Sequence, residues 1–260
     1  MIRFGPAGLG GVKEAVSNLK RFAKLGLKAC EIPFTYQIYI KEKHKKEIKE
    51  IRETAEKSDI KLSIHAPYWI NLNSKEKRKV EASKKRILDC CKIGDKLNAK
   101  YVVFHPGYYG GMDKDKTYEN IKKTILDMEK YKKKNKWKIK LAPETTGKVN
   151  VFGNEEEILK LVKETKCYFC VDFAHMYARG QGKQSYKEMY NKVKKFKELH
   201  CHFSGIKWGN KGERWHEKTS ESELRKLLKV LPKNKDITII NESPDPVGDS
   251  VKGIKILSKL

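Results

Sequence analysis

Long hydrophobic runs are missing from this chain of 260 residues, and its first residues do not have the pattern expected of a secretory leader. No stretch approaches the ~18 consecutive apolar residues that a membrane-spanning helix needs. Met1 to Gly5 lead straight into a strand-like segment, without the basic and then apolar segments of a signal peptide. We therefore expect a soluble, cytoplasmic protein that has no membrane partner.

The chain also has few arginines and few acidic residues for its number of lysines. Lys and Arg together number 58, of which only eight are Arg, and Asp and Glu number 33, which leaves a net charge of +25. A polyanion such as nucleic acid is the partner that this charge favours. A lysine excess also arises from nucleotide-composition bias or a thermophilic habit, so the charge supports a functional site but cannot replace one.

Disulfide bonds are not indicated, although the chain has six cysteines. Cys90 and Cys91 lie in a helical pattern, whereas Cys167 and Cys170 form a C-x-x-C spacing with no second pair or nearby His. That lone pair does not complete a usual zinc knuckle, and on a buried strand side chains three residues apart point to opposite faces. We expect buried, reduced thiols.

Flexible linkers and low-complexity tails are absent as well, which predicts a single domain over residues 1–260. Instead, short apolar runs alternate with long amphipathic stretches that are rich in Lys and Glu. The apolar runs predict strands at residues 2–4, 29–32, 62–65, 101–105, 139–144, 168–172, 199–203 and 237–242. The amphipathic stretches predict helices near residues 11–26, 42–58, 74–97, 114–134, 154–165, 184–198, 219–230 and 249–259. Ser74, Asn154 and Ser220 are expected to cap three of these helices.

Eight strands that alternate strictly with eight helices in about 250 residues predict an α/β fold with parallel strands. This count and this length are typical of a single (β/α)8 TIM barrel, which we favour. A doubly wound sheet is the alternative, but it usually has about five to seven strands and a glycine fingerprint after the first. The glycine-rich segment 5–11 does not match G-x-G-x-x-G, and the chain contains no Walker A sequence.

Side chains of the types that bind metals recur where the predicted strands end. Five of the seven histidines lie at or just past a strand end, and only His44 and His200 do not. The full set of such side chains comprises Glu31, His65, His105, Glu144, Asp172, His175, His202, His216 and Glu242. In a barrel the carboxyl ends of the strands converge on one face, so these side chains should share one volume.

Metal ions would explain how so many carboxylates pack together, because without cations between them they would repel one another. Mixed His and carboxylate ligands suit zinc, with manganese or iron as lesser options. About eight ligands are too many for one ion, so two or three ions are expected. Clustered divalent ions generate hydroxide at neutral pH and clamp phosphate oxygens, which together with the basic composition suggests phosphodiester hydrolysis.

Six short motifs follow one another along the chain. They are Ser63-Ile64-His65-Ala66-Pro67-Tyr68, Val103-Phe104-His105-Pro106-Gly107, Pro143-Glu144-Thr145-Thr146-Gly147, Val171-Asp172-Phe173-Ala174-His175, His202-Phe203-Ser204-Gly205 and Asn241-Glu242-Ser243-Pro244. Together and in this order they resemble the endonuclease IV family, which comprises apurinic/apyrimidinic endonucleases on a TIM barrel. The resemblance spans essentially the whole chain, although the fold and several metal positions are shared with sugar isomerases.

The resemblance implies a trinuclear zinc site. By likeness, the first zinc would be held by His65, His105 and Glu144, and the second by Glu144, Asp172, His202 and Glu242. His175 and His216 would hold the third ion, whose site the family completes with an Asp two residues before the last His. Here Arg214 occupies that position and Glu213 precedes it, so either Glu213 substitutes or the third site is weak or absent.

The resemblance also implies a substrate and a reaction. An enzyme of this family is a monomer that cuts double-stranded DNA at the phosphodiester 5′ to an abasic site, and Glu144 would be the carboxylate next to the attacking hydroxide. Aromatic side chains fill the gap that the flipped-out nucleotide leaves, a role that falls here to Tyr68 and Trp69, although simple loop packing would also account for them. The family's inserted Arg has no clear match at residues 34–39, where Tyr36 or Gln37 could take its place.

Two other functions are open from the sequence alone. A sugar isomerase or epimerase on the same barrel would bind one or two ions, typically manganese or magnesium, through Glu144, Asp172, His202 and Glu242. The four further histidines near strand ends and the charge of +25 favour zinc and phosphate chemistry instead. A DNA-binding relative that has lost catalysis is the third candidate, and Arg214 is its only support.

Overall fold

The structure is a computed structural model that describes residues 1–260, and a barrel of parallel strands forms its centre. In chain order the strands are β1 (Ile2–Pro6), β2 (Ala29–Pro33), β3 (Lys61–His65), β4 (Tyr101–Phe104), β5 (Lys140–Pro143), β6 (Val171–Asp172), β7 (Glu198–Phe203), β8 (Gly205–Gly209), β9 (Gly212–Glu217) and β10 (Asp236–Asn241). All but β8 and β9 belong to the barrel, and those two pair with each other as an antiparallel hairpin.

Nine helices connect the strands and cover the barrel. They are α1 (Ala15–Lys24), α2 (Lys45–Lys57), α3 (Lys77–Lys96), α4 (Lys114–Lys134), α5 (Glu155–Thr165), α6 (Phe173–Arg179), α7 (Tyr186–Val193), α8 (Glu221–Val230) and α9 (Pro246–Leu257). Each amphipathic helix buries one face, as α1 does with Ala15, Leu19 and Phe22 at helical spacing. None of the helices is both long and apolar enough to cross a membrane.

Backbone hydrogen bonds close the strands into one barrel. Two four-stranded parallel sheets have the orders β1-β10-β7-β6 and β2-β3-β4-β5. Parallel bridges between Ala7 and Glu31 and between Glu144 and Cys170 join these sheets at both edges. The predicted (β/α)8 barrel is therefore confirmed, and the doubly wound alternative is wrong.

Two segments that follow barrel strands differ from the prediction. The sequence pattern predicts no helix at residues 173–179, where α6 forms because the Asp172 side chain caps its first turn. It also predicts no strand between residues 203 and 237, whereas β8 and β9 form a hairpin there. Both additions lie at the carboxyl end of the barrel.

Some element boundaries differ as well. Only Val171–Asp172 forms a regular strand within the predicted segment 168–172, although Tyr168 still donates its backbone N–H to the Leu141 carbonyl of β5 (2.8 Å). The expected Asn154 cap is confirmed as a capping box, but α3 begins after Glu76 and Ser74 does not cap it. All six cysteines are buried and free, as expected.

A network of charged side chains closes the amino end of the barrel, opposite the strand ends that carry the metal-type residues. Glu198 of β7 accepts hydrogen bonds from Lys100, from Lys140 (3.2 Å) and from the Tyr101 hydroxyl (2.9 Å). Burial alone would raise the pKa of Glu198, but the hydrogen bonds from Lys100 and Tyr101 lower it to about 2. In its ionised form the carboxylate therefore ties β7 to β4 and β5, across the intervening β6.

Replacing Glu198 by Gln is expected to destabilise the fold at neutral pH by about 1–2 kcal/mol, because charge-assisted hydrogen bonds are lost. The pKa of the folded carboxyl lies below its unfolded value, so this stabilisation is complete above about pH 4.5 and is lost as the pH falls towards 2. Urea unfolding of both proteins at a series of pH values measures the difference. A difference that does not shrink in acid would contradict this role of Glu198.

Candidate metal centre

The metal-type side chains predicted at strand ends meet at the carboxyl end of the barrel. They fall into three groups, and within each group the possible ligand atoms lie within 4.8 Å of one another. The groups are His65, His105 and Glu144; Glu144, Asp172, His202 and Glu242; and His175, Glu213 and His216. The structure thus brings together all eight metal-site residues that the sequence singles out, and with them Glu213, the possible substitute at the third site.

Glu144 lies at the centre of these groups and is fully buried. Its Oε2 atom lies 3.2 Å from Nε2 of His65 and 3.0 Å from Nε2 of His105. Its Oε1 atom lies 3.0 Å from Nδ1 of His202 and 3.4 Å from Nδ1 of His175. The two oxygens therefore face different sets of histidines, which is the arrangement that a bridging carboxylate needs.

Asp172 explains how His175, three residues further along the chain, returns to the same volume. The Oδ1 atom of Asp172 accepts a hydrogen bond from the backbone N–H of His175 (2.7 Å) at the start of α6. This cap turns the first helical turn back over the strand end, so that Oδ2 of Asp172 lies 3.4 Å from Nδ1 of His175. One local motif thereby supplies a side chain to each of two groups.

The β8–β9 hairpin supplies the remaining two members of the third group. Oε2 of Glu213 lies 3.5 Å from Nε2 of His175, and Oε1 of Glu213 lies 3.9 Å from Nε2 of His216. Arg214 is directed away from this group. Its guanidinium lies over Gly209 in the hairpin, so close that a Cβ atom added to Gly209 would lie 3.0 Å from Nε of Arg214. The basic residue at the position of the expected Asp therefore does not enter the centre.

A β-bulge explains why Glu213 and His216 face the same way although they are three residues apart. On a regular strand, such residues point to opposite faces. Here Trp208 pairs with Glu213 while its neighbour Lys207 pairs with Trp215, so Arg214 is the extra residue. One inserted residue reverses the alternation, and the two side chains return to one face.

Four of the histidines turn their second ring nitrogen towards a partner outside the three groups. The pairs are His65 Nδ1 with the Ala66 carbonyl (2.9 Å), His175 Nδ1 with the Thr145 carbonyl (3.0 Å), His216 Nδ1 with the Ser204 hydroxyl (2.6 Å) and His202 Nε2 with Glu31 Oε1 (2.9 Å). Outer partners of this kind decide which ring nitrogen is free to bind a metal.

Two buried atoms without a hydrogen-bond partner show that the donor set fits metal ions. Oδ2 of Asp172 and Nε2 of His175 are both buried and unpaired. A buried polar atom without a partner is costly unless an ion or another group completes it. Histidine and carboxylate donors in this mixture suit zinc, and the carboxylates also suit manganese.

Neighbouring charges control the ionisation of these side chains. Burial alone would raise the pKa of Glu144, but His202 and His105 lower it well below its usual value. Burial alone would lower the pKa of His65, but the hydrogen bond and the charge of Glu144 raise it to about 9. The His65 imidazole therefore carries positive charge beside Glu144, and a bound cation would replace its proton.

A cavity of about 320 Å³ opens above the centre, and Tyr68, Tyr108 and Lys148 are among its lining residues. Tyr68 is 51% exposed and its neighbour Trp69 is 60% exposed. The Trp69 indole donates to the Tyr36 carbonyl (3.4 Å), and the rings of Tyr36 and Tyr68 lie 6.2 Å apart. Such exposure argues against simple loop packing of Tyr68 and Trp69.

The sequence places Glu31 among the side chains at strand ends, but sequence reasoning missed His200 and its contact with Glu31 beside the centre. The pattern assigns His200 to no strand end, yet it is buried in β7 with Nε2 lying 3.1 Å from Oε2 of Glu31. Cys170, His200 and His202 also bring possible ligand atoms together. The spacing of His200 and His202 was the available signal, because alternate residues of a strand share a face.

Several proteins are similar to this chain in sequence. An uncharacterized protein of Methanocaldococcus jannaschii is 38% identical, and the match covers 100% of this chain and 98% of that protein. A probable endonuclease 4 of Mycoplasmopsis pulmonis is 26% identical over 90% of this chain and 87% of its own length. An apurinic-apyrimidinic endonuclease of Caenorhabditis elegans is 29% identical over 76% of this chain, which spans 53% of that relative.

Solved structures share the fold. Endonuclease IV from Thermus thermophilus superposes with a TM-score of 0.73 at 20% identity, covering 99% of this chain and 100% of its own. A D-tagatose 3-epimerase-like protein superposes with a TM-score of 0.70 at 22% identity, covering 99% of this chain and 96% of its own. Residues 19–260 match the family model described as xylose isomerase-like TIM barrel. The chain belongs to that family.

Proposed function

We propose that this protein is a metal-dependent endonuclease of base excision repair that hydrolyses the phosphodiester 5′ to abasic sites in double-stranded DNA. The products would be a 3′-hydroxyl and a 5′-deoxyribose phosphate. The observation that carries the proposal is that Glu144 faces two groups of ligands at once, with a third group beside them. The relatives named endonuclease 4 and apurinic-apyrimidinic endonuclease support it, and the net charge of +25 suits DNA.

Two or three ions would occupy the three groups, and zinc suits these ligands better than manganese. His65 and His105 would bind one ion with Glu144, and Asp172, His202 and Glu242 would bind the next. When bound, such ions supply the positive charge that activates water and stabilises the charge developing on phosphate. Glu144 stays ionised because its pKa is held low, so it can orient the attacking water by accepting a hydrogen bond.

The rim of the cavity would select the substrate. Tyr68 and Trp69 present exposed rings that can stack where a base is missing, and Lys148 lines the cavity where a phosphate would lie. An abasic nucleotide flips out more cheaply than a paired one, and damaged DNA bends more easily. Base sequence should therefore matter little for cleavage.

Glu213 would complete the third group in place of the Asp that the endonuclease IV pattern leads one to expect. A Glu side chain is one methylene longer, and the bulge at Arg214 turns it towards His175 and His216. The presence of Arg214 at the expected Asp position therefore does not favour a DNA-binding relative that has lost catalysis, because the Arg214 side chain lies over Gly209. We propose a third ion at His175, Glu213 and His216.

Metal-replete protein is expected to nick a duplex oligonucleotide at a single central abasic site, and Glu144→Gln should slow this by about 10³-fold, because the carboxylate charge is lost. Gel analysis of end-labelled strands measures the rate and the position of the cut. An undamaged duplex and addition of EDTA should both abolish nicking. Glu81→Gln, an exposed carboxylate on α3, serves as the matched control.

A sugar epimerase is the second candidate, because the group of Glu144, Asp172, His202 and Glu242 also resembles the metal site of such enzymes. The fold shared with a D-tagatose 3-epimerase-like protein supports it. Epimerisation of ketoses by zinc- or manganese-loaded protein that leaves abasic DNA intact would replace the endonuclease proposal. Tight binding of abasic DNA without bound metal or cleavage would instead indicate a non-catalytic DNA-binding protein.

Glu213→Ala is expected to bind one zinc fewer per chain than the wild type, because the third group loses its carboxylate. Arg214→Ala should keep the full complement, since that guanidinium lies outside the centre. Metal analysis of protein that has been reconstituted with zinc and desalted gives the stoichiometry. Equal zinc content in Glu213→Ala and the wild type would remove Glu213 from the proposed ligand set.

Tyr68→Ala and Trp69→Ala are each expected to weaken binding of abasic duplex by about 10-fold or more, because a stacked ring is lost. Fluorescence anisotropy with labelled duplexes measures the affinity, and affinity for undamaged DNA should change much less. Tyr131→Ala is the matched control, because this tyrosine of α4 is 47% exposed and does not line the cavity. An equal loss for damaged and undamaged DNA would argue against a role in lesion recognition.

A further inference from the structure

Glu31 is a fully buried carboxylate beneath the metal centre that the proposed reaction does not use. It lies on β2, where it is paired in register with Ser63 of β3, and its Oε2 accepts a hydrogen bond from the Ser63 hydroxyl (2.7 Å). The same oxygen accepts a second hydrogen bond from Nε2 of His200 on β7 (3.1 Å). A buried charge is expensive, so a protein keeps one only where its partners repay the loss of water.

The other oxygen of Glu31 is directed at His202. Oε1 lies 2.9 Å from Nε2 of His202, a charge contact, and neither of these buried atoms has a hydrogen-bond partner of regular geometry elsewhere or in this pair. On the opposite side of the same ring, Nδ1 lies 3.0 Å from Oε1 of Glu144 and 3.3 Å from Oε2 of Glu242. His202 thus connects Glu31 to the group of possible metal ligands, and the ring is inaccessible to water.

His202 differs in this respect from the other histidines with an outer partner. His65 and His175 pair with backbone carbonyls, and His216 pairs with a hydroxyl, all of which are neutral. Of these four histidines, only His202 has a carboxylate as its outer partner. An anionic acceptor holds the ring N–H more firmly than a neutral one and makes the opposite nitrogen a better electron donor to a metal.

We propose that Glu31 is a positioning residue that holds the proton of His202 on Nε2 and directs Nδ1 to the metal, and that Ser63 and His200 keep Glu31 in place. This inference rests on the proposed metal centre, but not on the choice of substrate. The network crosses the barrel interior from β2 to β7, so it couples the ligand to strands on two sides. Loss of the Glu31 charge should therefore weaken one metal site selectively.

The test measures metal binding rather than cleavage. Metal-free wild type and Glu31→Gln are titrated with zinc in competition with a chromophoric chelator, which measures zinc affinity. In a separate titration both proteins bind cobalt(II), whose visible spectrum reports the ligand geometry. In Glu31→Gln, which keeps the size of the side chain, one site should bind zinc about 10- to 100-fold more weakly, with the other sites unchanged. The cobalt spectrum should change at that site only.

A milder variant and a matched control separate positioning from folding. Ser63→Ala removes one neutral hydrogen bond to Glu31 but leaves the charge, so its loss of zinc affinity should be smaller and of the same kind. Glu198→Gln replaces another carboxylate of the barrel, at its opposite end, and should lower the stability of the metal-free protein without changing zinc affinity. Thermal unfolding of each metal-free variant reports the stability separately.

The outcomes distinguish this inference from the proposed function. Unchanged zinc affinity and an unchanged cobalt spectrum in Glu31→Gln would overturn the role of Glu31. A wild type that binds neither metal would overturn the metal centre and this role with it. Selective loss of one site in a protein that does not cut abasic DNA would support the role of Glu31 while the endonuclease proposal failed.

Discussion

The charge of Glu144 is the constraint around which the carboxyl end of the barrel is built. This side chain has no exposure to water, and the histidines around it approach from different strands and loops to within 3.4 Å of its two oxygens. A buried carboxylate must be matched by positive charge or by hydrogen bonds. In the metal-free protein, protons on the imidazoles can supply that charge. In the metal-loaded protein, divalent ions between the same atoms can supply it, so the site can exchange protons for metal ions.

The barrel and the ligand positions could be predicted from the sequence because both follow from local patterns. Apolar runs mark the strands, and a His or carboxylate at the end of a run marks a side chain at the open face, as at His65 and Glu144. Even α6 left a local signal, since Asp172 and His175 have the spacing of a helix cap and its third residue. The pattern at residues 173–179 was too short to be recognised as a helix.

What could not be predicted depends on contacts between distant parts of the chain. Whether Glu213 faces the centre depends on the pairing of β8 with β9, and no property of the segment itself places the bulge at Arg214. The same holds for Glu31 and His200, which are 169 positions apart and meet only because β2 and β7 both line the barrel interior. Sequence spacing shows which side chains share a strand face, but not which faces meet.

The third ligand group and the aromatic rim, which favour phosphodiester chemistry over sugar chemistry, lie on the loops rather than in the barrel. Glu144, Asp172, His202 and Glu242 belong to strand ends and would serve either reaction. The third group depends on the hairpin, which is tied to the loop after β5 by the hydrogen bond from Glu213 N–H to the Gly147 carbonyl (3.0 Å). Loops change more readily than the barrel that carries them. Under the proposed function, a hairpin that delivers Glu213 and His216 beside an aromatic rim would therefore direct a metal site of this barrel towards DNA.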